Sequence, residues 1–226
     1  MQFADPSSCL VLFGSETGTA EALAFKLKKM MTSRGLRVRC VGMDDYDIGQ
    51  LPTERYVVMI VATAGDGETP VNMRSFWRFL LNKGLGPTSL EGMTVGVFGL
   101  GDSGYVKFNA AARRLSARLK QLGAHHCVPL GLGDDQAGYG YYTAWNDWIE
   151  AYLSAIMAIY PAAHVLPAEK RDPPSGHHEY NVSYSTSNSD HSHVRDDHTS
   201  FYAAGKPAGT LQLQVIGVDG VVGVGS

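Results

Sequence analysis

Four loops of this chain concentrate glycines, hydroxyls, carboxylates and aromatic side chains. The first, GSETGTAE at 14–21, places three hydroxyls and two glycines directly before a helical pattern. Glycines let a backbone approach an anion closely, and the free N–H groups of a helix N-terminus stabilise a phosphate without Lys or Arg. A nucleotide-triphosphate P-loop needs G-K-[ST], which is missing, so ATP or GTP hydrolysis is not expected. Helix capping by Ser15 and Thr19 explains the same residues equally well.

The other three loops contain glycines, aromatic residues and acidic residues. ATAGDGETP (62–70) has two glycines and ends at Pro70, which suits a first helical turn. GLGDSGYVKFN (99–109) contains a literal G-x-G-x-x-G, but it follows the fourth strand pattern and no acid ends the next strand. We therefore interpret this dinucleotide pattern as accidental. Tyr105 and Phe108 suit a flat ring that stacks, and GLGDDQAGYG (131–140) adds two aspartates.

These loops are positioned by predicted strands and helices that alternate along the chain. The strands are short apolar runs, and the helices show apolar residues at helical spacing. Strands are predicted at 9–13, 36–41, 56–62, 94–98 and 125–130, and helices at 19–31, 73–82, 108–122 and 144–159. Strands rich in Val, Ile and Leu that alternate with helices are typical of a parallel sheet covered on both faces. We predict an α/β fold with a doubly wound, five-stranded parallel sheet in the flavodoxin-like order 2-1-3-4-5. Ligands of such sheets bind outside the carboxyl ends of the strands.

Composition narrows the classes of function. The 226 residues are 44% hydrophobic and 18% charged with a formal net charge of -3, which is ordinary for a globular protein and gives no reason to expect nucleic acid. No apolar stretch approaches the ~20 residues of a membrane span. We expect a cytoplasmic protein without a membrane or nucleic-acid partner. Cys9, Cys40 and Cys127 stand in apolar runs without C-x-x-C spacing, so we expect small buried hydrophobes.

The motifs FGSETGTAE, ATAGDGETPVNMRSFWRFL, GLGDSGYVKFNAAARRL and LGDDQ, in this order, resemble the FMN-binding domain of the diflavin reductases. Four motifs in order are far more specific than any one alone. NMRSFWRFL and LGDDQ are similar to the branch of the family that serves cytosolic iron–sulfur cluster assembly. The resemblance implies an FMN-binding domain at 7–160, and a linker and low-complexity tail at 161–226 that could begin a truncated FAD-binding domain.

The resemblance implies a role for each loop. Residues 15–20 would hold the FMN phosphate, 62–65 and 100–109 would flank the isoalloxazine with Tyr105 as the stacking ring, and Asp135 with Asp134 would close the site. The residues implied to bind FMN are Ser15, Glu16, Thr17, Gly18, Thr19, Ala20, Ala62, Thr63, Ala64, Gly65, Leu100, Gly101, Asp102, Ser103, Gly104, Tyr105, Val106, Lys107, Phe108, Asn109, Asp134 and Asp135.

One departure from the family concerns the second loop. Many relatives use a second aromatic ring there, and this chain has Ala64, so one flavin face is expected to be open or covered less tightly. The resemblance also implies that the backbone carbonyl of Gly65 turns toward flavin N5 when the flavin is reduced, because relatives use the corresponding glycine in this way and a residue without a Cβ enters positive φ at little steric cost. Flavin redox chemistry needs no acid–base or nucleophilic group from the protein. We therefore nominate no catalytic residue and no metal ligand.

The implied function is FMN-dependent electron transfer. A reductase module with FAD and NADPH, absent from this chain, would supply the electrons, and an iron–sulfur protein resembling anamorsin would accept them. Asp66, Glu68 and Asp102 add carboxylates that steer a basic partner surface or are ordinary solvated residues. Two alternatives stay open: a non-redox interaction module with a degenerate flavin site, and a free-standing flavodoxin or quinone reductase.

The sequence after residue 160 changes in character. The segment 161–176 is rich in proline, and 177–200 is polar and holds most of the histidines. His191-x-His193 permits a metal site, but Ser, Asn and Asp crowd around it, so we favour an exposed low-complexity segment. Leu211, Leu213 and Val215 alternate like a strand.

Overall fold

A parallel sheet with helices on both faces is formed by residues 7–171, the part of the chain that the computed structural model describes. The strands are β1 (Cys9–Gly14), β2 (Val38–Gly42), β3 (Tyr56–Ala62), β4 (Thr94–Gly101), β5 (His125–His126) and β6 (Gly131–Asp134). The helices are α1 (Thr19–Ser33), α2 (Arg74–Leu80), α3 (Ala110–Gln121) and α4 (Tyr142–Ile159). Short 3-10 turns lie at Met43–Asp45, Ile48–Thr53, Val71–Met73, Ala162–His164 and Ala168–Lys170.

The order of the strands is β2-β1-β3-β4-β5, and each described pair is parallel. This order confirms the predicted doubly wound, flavodoxin-like sheet. Parallel pairing explains the Val- and Ile-rich strands, because both faces of such a sheet are covered by helices. One apolar layer packs α1 and α4 on the sheet around Phe98, Trp145 and Tyr152, and the opposite layer packs α2 and α3.

The prediction of one fifth strand over 125–130 is wrong. The structure has only two paired residues in β5, an interruption, and then the four residues of β6, which pair with the carboxyl end of β4. Pro129 has no N–H to donate, and its carbonyl accepts from Trp148 Nε1 at 2.9 Å. The interruption has a functional consequence, because the resumed strand pairs Asp134 with Gly101.

Helix α2 is shorter than the predicted 73–82 because side chains from elsewhere bond its ends. The Asp44 carboxylate accepts from the N–H groups of Ser75 at 3.1 Å and Phe76 at 2.8 Å. At the other end, Arg118 Nε donates to the carbonyl of Leu80 at 2.7 Å. Satisfying the free N–H and C=O groups of a helix defines where it begins and ends.

Residues 161–171, predicted as linker, pack back on the turn after α1. The N–H of Leu166 donates to the carbonyl of Gly35 at 2.7 Å, and Arg171 Nε donates to the carbonyl of Leu166 at 2.9 Å. The buried Tyr160 hydroxyl bonds the carbonyl of Ser7. The remaining tail, including His191, His193 and the alternation at 211–215, lies outside the described residues.

All three cysteines are free thiols. Cys9 is fully buried, and burial raises the pKa of its thiol to about 12. Cys40 and Cys127 are half-buried. Across residues 7–171 no helix combines the length and apolarity of a membrane span, and no cluster of His, Cys, Asp or Glu has the makings of a metal site.

Candidate functional site

The loops after β1, β3, β4 and β6 meet at one edge of the sheet, because the carboxyl ends of parallel strands point the same way. Backbone hydrogen bonds join them in pairs. The N–H of Thr63 donates to the carbonyl of Leu100 at 2.9 Å, and the N–H of Asp135 donates to the carbonyl of Gly101 at 2.9 Å. The predicted site residues therefore occupy a continuous rim.

The loop at 14–19, which we call the phosphate loop, leaves several N–H groups available at the start of α1. Gly18 is the N-cap of α1 with φ 94°, no side chain caps the helix, and Ser15 Oγ accepts from the Gly18 N–H at 3.0 Å. The alternative that Ser15 and Thr19 cap α1 is therefore wrong. Among residues 7–171, none accepts a hydrogen bond from the N–H groups of Thr17, Thr19 or Ala20. Such groups at a helix N-terminus bind anions.

The second loop is closed by its own backbone. Ala64 and Glu68 exchange two N–H···O bonds of 3.0 and 2.7 Å. Gly65 at φ 44° and Gly67 at φ 80° make the reversal between them, in the left-handed region that glycine enters without steric strain. An ideal Cβ at Gly65 would meet no atom within 4 Å. The tip of this loop is therefore a tight turn beside open space.

The third loop presents its aromatic ring to solvent. Tyr105 is 68% exposed and Val106 is fully exposed. Lys107 Nζ contacts Asp66 Oδ2 at 2.7 Å, which joins the second and third loops through an exposed ion pair. The Phe108 ring instead lies under the Arg113 guanidinium at 5.9 Å. Of the two rings predicted to stack on a ligand, the structure leaves Tyr105 the freer one.

The acids at the rim also fix loop geometry. Asp102 Oδ1 accepts from the Gly104 N–H at 2.7 Å, and Asp134 Oδ1 accepts from the Ser103 N–H at 2.9 Å. Hydrogen bonds from the side chain and N–H of Ser103 hold the pKa of Asp134 below its ordinary value, against a smaller opposing effect of burial. Asp134 therefore stays negatively charged into acidic pH.

Two hydrogen bonds that hold the phosphate loop in place were not predicted from the sequence. Asn72 Oδ1 accepts from the Ser15 N–H at 2.8 Å, and the Glu16 carboxylate accepts from the Val71 N–H at 3.1 Å. Together they hold the phosphate loop on the turn before α2. The only sequence signal for them is a polar residue soon after Pro70. Their partners lie 57 and 55 residues away along the chain, which no local pattern reveals.

The donor set fits a phosphorylated flavin. Free N–H groups and the positive end of α1 suit a phosphate, and the exposed Tyr105 ring suits stacking. Thr63 Oγ1 is buried and has no partner among the described residues, although buried hydroxyls are normally hydrogen-bonded. The rim thus combines an anion site, a ring surface and an unpartnered polar atom.

Comparison with known proteins gives the same picture. The family model described as Flavodoxin matches residues 11–148. NADPH-dependent diflavin oxidoreductase 1 from Danio rerio is 41% identical over 72% of this chain and 28% of its own length, and the Schizosaccharomyces pombe protein of that name is 43% identical over 68% and 26%. The chain therefore spans about a quarter of the curated relatives it matches.

Solved structures share the fold. A mutant flavodoxin from Pseudomonas aeruginosa superimposes with a TM-score of 0.56 at 23% identity, covering 66% of this chain and 99% of that one. The Streptococcus pneumonia TIGR4 flavodoxin gives 0.53 at 23% identity, covering 66% of this chain and 94% of its own. At this identity the likeness shows the fold alone.

Proposed function

The chain belongs to the flavodoxin family, and from this we propose that it binds FMN at the carboxyl edge of its sheet and carries electrons between two partners. The observation that carries the proposal is the phosphate loop, where N–H groups of Thr17, Thr19 and Ala20 have no partner in the described part of the chain. A phosphate supplies the acceptors that these donors lack.

Each loop has a defined task in this proposal. The phosphate loop binds the FMN phosphate, Tyr105 stacks on the ring, and the closed turn at Gly65 lines the ring's edge. FMN itself supplies the redox chemistry when it is bound, so the chain's residues bind it, orient it and limit its contact with water. Ala64 leaves one ring face without an aromatic cover, which opens a short route to a partner.

The proposed donor is a module with FAD and NADPH, and the proposal is supported by relatives whose names describe NADPH-dependent diflavin oxidoreductases. The proposed acceptor is an iron–sulfur protein resembling anamorsin, within cytosolic iron–sulfur cluster assembly. The NMRSFWRFL and LGDDQ motifs support this branch of the family. The persistent negative charge of Asp134 beside Asp102 and Asp135 favours a basic surface on the acceptor.

Electron transfer can be tested on the pure chain loaded with FMN. NADPH alone should not be oxidised, because the proposal assigns the nicotinamide chemistry to the separate module with FAD and NADPH. After chemical reduction the chain should reduce cytochrome c, and adding a reductase module with FAD should restore NADPH-driven turnover. NADPH oxidation by the chain alone would contradict the proposal that a separate module supplies the electrons. A chain that binds no FMN would favour the non-redox interaction module instead.

A further inference from the structure

Asn109 has an uncommon set of properties for a residue at a loop–helix junction. It is fully buried, and among residues 7–171 it is the only non-glycine at positive φ, at 54°. It is the N-cap of α3, yet its side chain does not cap the helix. Asparagine is favoured at N-caps because its side chain normally bonds the first helical N–H groups. Here the side chain is used elsewhere.

The side chain of Asn109 reaches the neighbouring strand. Its Nδ2 donates to the carbonyl of Gly133 at 2.9 Å, across 24 residues of sequence. The next residue, Asp134, accepts the Ser103 N–H at 2.9 Å. Consecutive residues of β6 therefore hold both ends of the loop 103–109, which carries Tyr105 between them.

The two glycines at the end of β4 make room for this contact. A Cβ at Gly99 would collide with Asn109 Oδ1 and Ala112, and a Cβ at Gly101 would lie 2.9 Å from the Asn109 backbone nitrogen and 3.0 Å from its Cγ. The first half of the G-x-G-x-x-G match thus has a packing role. The missing side chains at these two glycines let the buried Asn109 amide lie directly against the carboxyl end of β4.

The arrangement carries an energetic penalty that packing alone does not explain. Asparagine is one of the few non-glycine residues that enter the left-handed region at modest cost, but Asn109 Oδ1 is buried without a partner among the described residues. Buried polar atoms without partners are rare, and each calls for a reason beyond packing. An apolar residue would fill the core without leaving a buried oxygen unpaired.

We propose that Asn109 is a positioning residue, which fixes the ring-binding loop 103–109 on β6 so that Tyr105 is held in place before the flavin arrives. The proposal rests on the proposed FMN site. In this proposal Asn109 acts through Gly133 and the loop, in place of the direct FMN contact that the resemblance implies for it. Its effect should therefore fall on recognition of the flavin ring and spare the phosphate loop, which lies on α1.

The test uses the full chain with Asn109→Gly and Asn109→Asp. Both residues tolerate positive φ. Glycine removes the donor outright, and aspartate removes it when its carboxyl is ionised, so the Asp variant is measured from pH 7 to pH 9. Ser116→Ala is the matched control, because Ser116 is also buried on α3 but bonds His126 at 3.1 Å near the start of β5. The measurements are dissociation constants for FMN and riboflavin, and amide exchange of the flavin-free chain.

Both Asn109 variants should bind FMN and riboflavin about tenfold more weakly or worse, the scale of one lost buried hydrogen bond. The ratio of the two constants should stay constant, since riboflavin lacks only the phosphate. The amides of Ser103 and Gln136 should exchange faster, whereas Ser116→Ala leaves binding and these amides unchanged. If one variant fails to fold, the other decides.

Unchanged flavin binding and unchanged amide exchange in a folded Asn109 variant would overturn the proposal. A variant that binds FMN more weakly but riboflavin as well as the wild type would also overturn it. A wild-type chain that binds neither flavin would refute the proposed function but not this inference. In that case the exchange of Ser103 and Gln136 in the flavin-free variants still decides whether Asn109 holds the loop.

Discussion

Tyr105 is the residue on which ring recognition depends most directly. Its side chain is 68% exposed on the rim, so a flavin that stacks on it would bury an aromatic surface now in contact with water. Tyr105→Ala should weaken FMN binding by about 1–3 kcal/mol, with base–aromatic stacking as the guide. Isothermal titration calorimetry measures the effect. Tyr139→Ala is the control, because Tyr139 is 74% exposed on the neighbouring loop, and equal constants for both variants would exclude stacking on Tyr105.

Gly65 allows a second test in which the backbone alone changes. It sits at φ 44° with open space where a Cβ would point, so Gly65→Ala adds strain of about 1–2 kcal/mol without a clash. The substitution should weaken FMN binding, and Gly65→Asn should weaken it less, since Asn tolerates this region. Gly86→Ala is the control, because Gly86 also has open space but no positive φ. Equal FMN constants for Gly65→Ala and Gly86→Ala would show that the turn is irrelevant to binding.

At the scale of elements, most of the fold was predictable because the central strands β1, β3 and β4 are buried on both faces. The strand predicted at 56–62 coincides with β3, and the stripe at 19–31 lies within α1. The split between β5 and β6 was not predictable from apolar residues. It depends on Pro129, whose missing N–H breaks the pairing and whose carbonyl bonds a tryptophan on α4.

The positions of the site's loops were predictable from the sequence, but the side-chain hydrogen bonds that hold these loops were not. Sequence periodicity placed the phosphate loop at a strand end, and parallel topology then brought it to the common edge. The contacts of Asn72 with Ser15 and of Asn109 with Gly133 link residues 57 and 24 positions apart. Such side-chain contacts are fixed by tertiary packing, so they leave no local pattern in the sequence.

The segment 161–171 yields a prediction about the extent of the folded unit. It bonds Gly35, and its His164 ring contacts the buried Tyr160 ring, so a variant truncated after Tyr160 should be less stable than one truncated after Arg171. Loss of the hydrogen bond between Leu166 and Gly35, together with the packing of Val165 on the apolar layer, predicts a difference of about 1–3 kcal/mol. Thermal unfolding of both variants measures this difference in stability. Equal unfolding midpoints would place the end of the folded unit at residue 160 and show that the segment 161–171 is only a linker.

At the scale of the whole molecule, acid should destabilise the fold through His126. Burial, with a smaller contribution from Lys120, lowers the pKa of this imidazole below its ordinary value of 6.5. The unfolded chain therefore binds the proton more readily. The stabilisation from neutral His126 is fully present above about pH 6.5 and is lost as the pH falls through the lower pKa of the folded state.

Denaturant unfolding at several pH values between 7 and 5 tests this dependence. His126→Gln should flatten part of the decline, and replacement of the exposed neighbour, His125→Gln, serves as the control. A decline that is identical in the wild type and in His126→Gln would assign acid sensitivity to other groups.

A titration of the pure chain with FMN, FAD and riboflavin decides whether it is a flavodoxin-type FMN protein. The phosphate loop offers N–H groups and hydroxyls for one terminal phosphate, and the proposed site assigns no residue to an adenosine. FMN should therefore bind more tightly than riboflavin and much more tightly than FAD, with the bound flavin visible in the absorption spectrum. Equal affinity for FMN and FAD, or no flavin binding at all, would contradict the account.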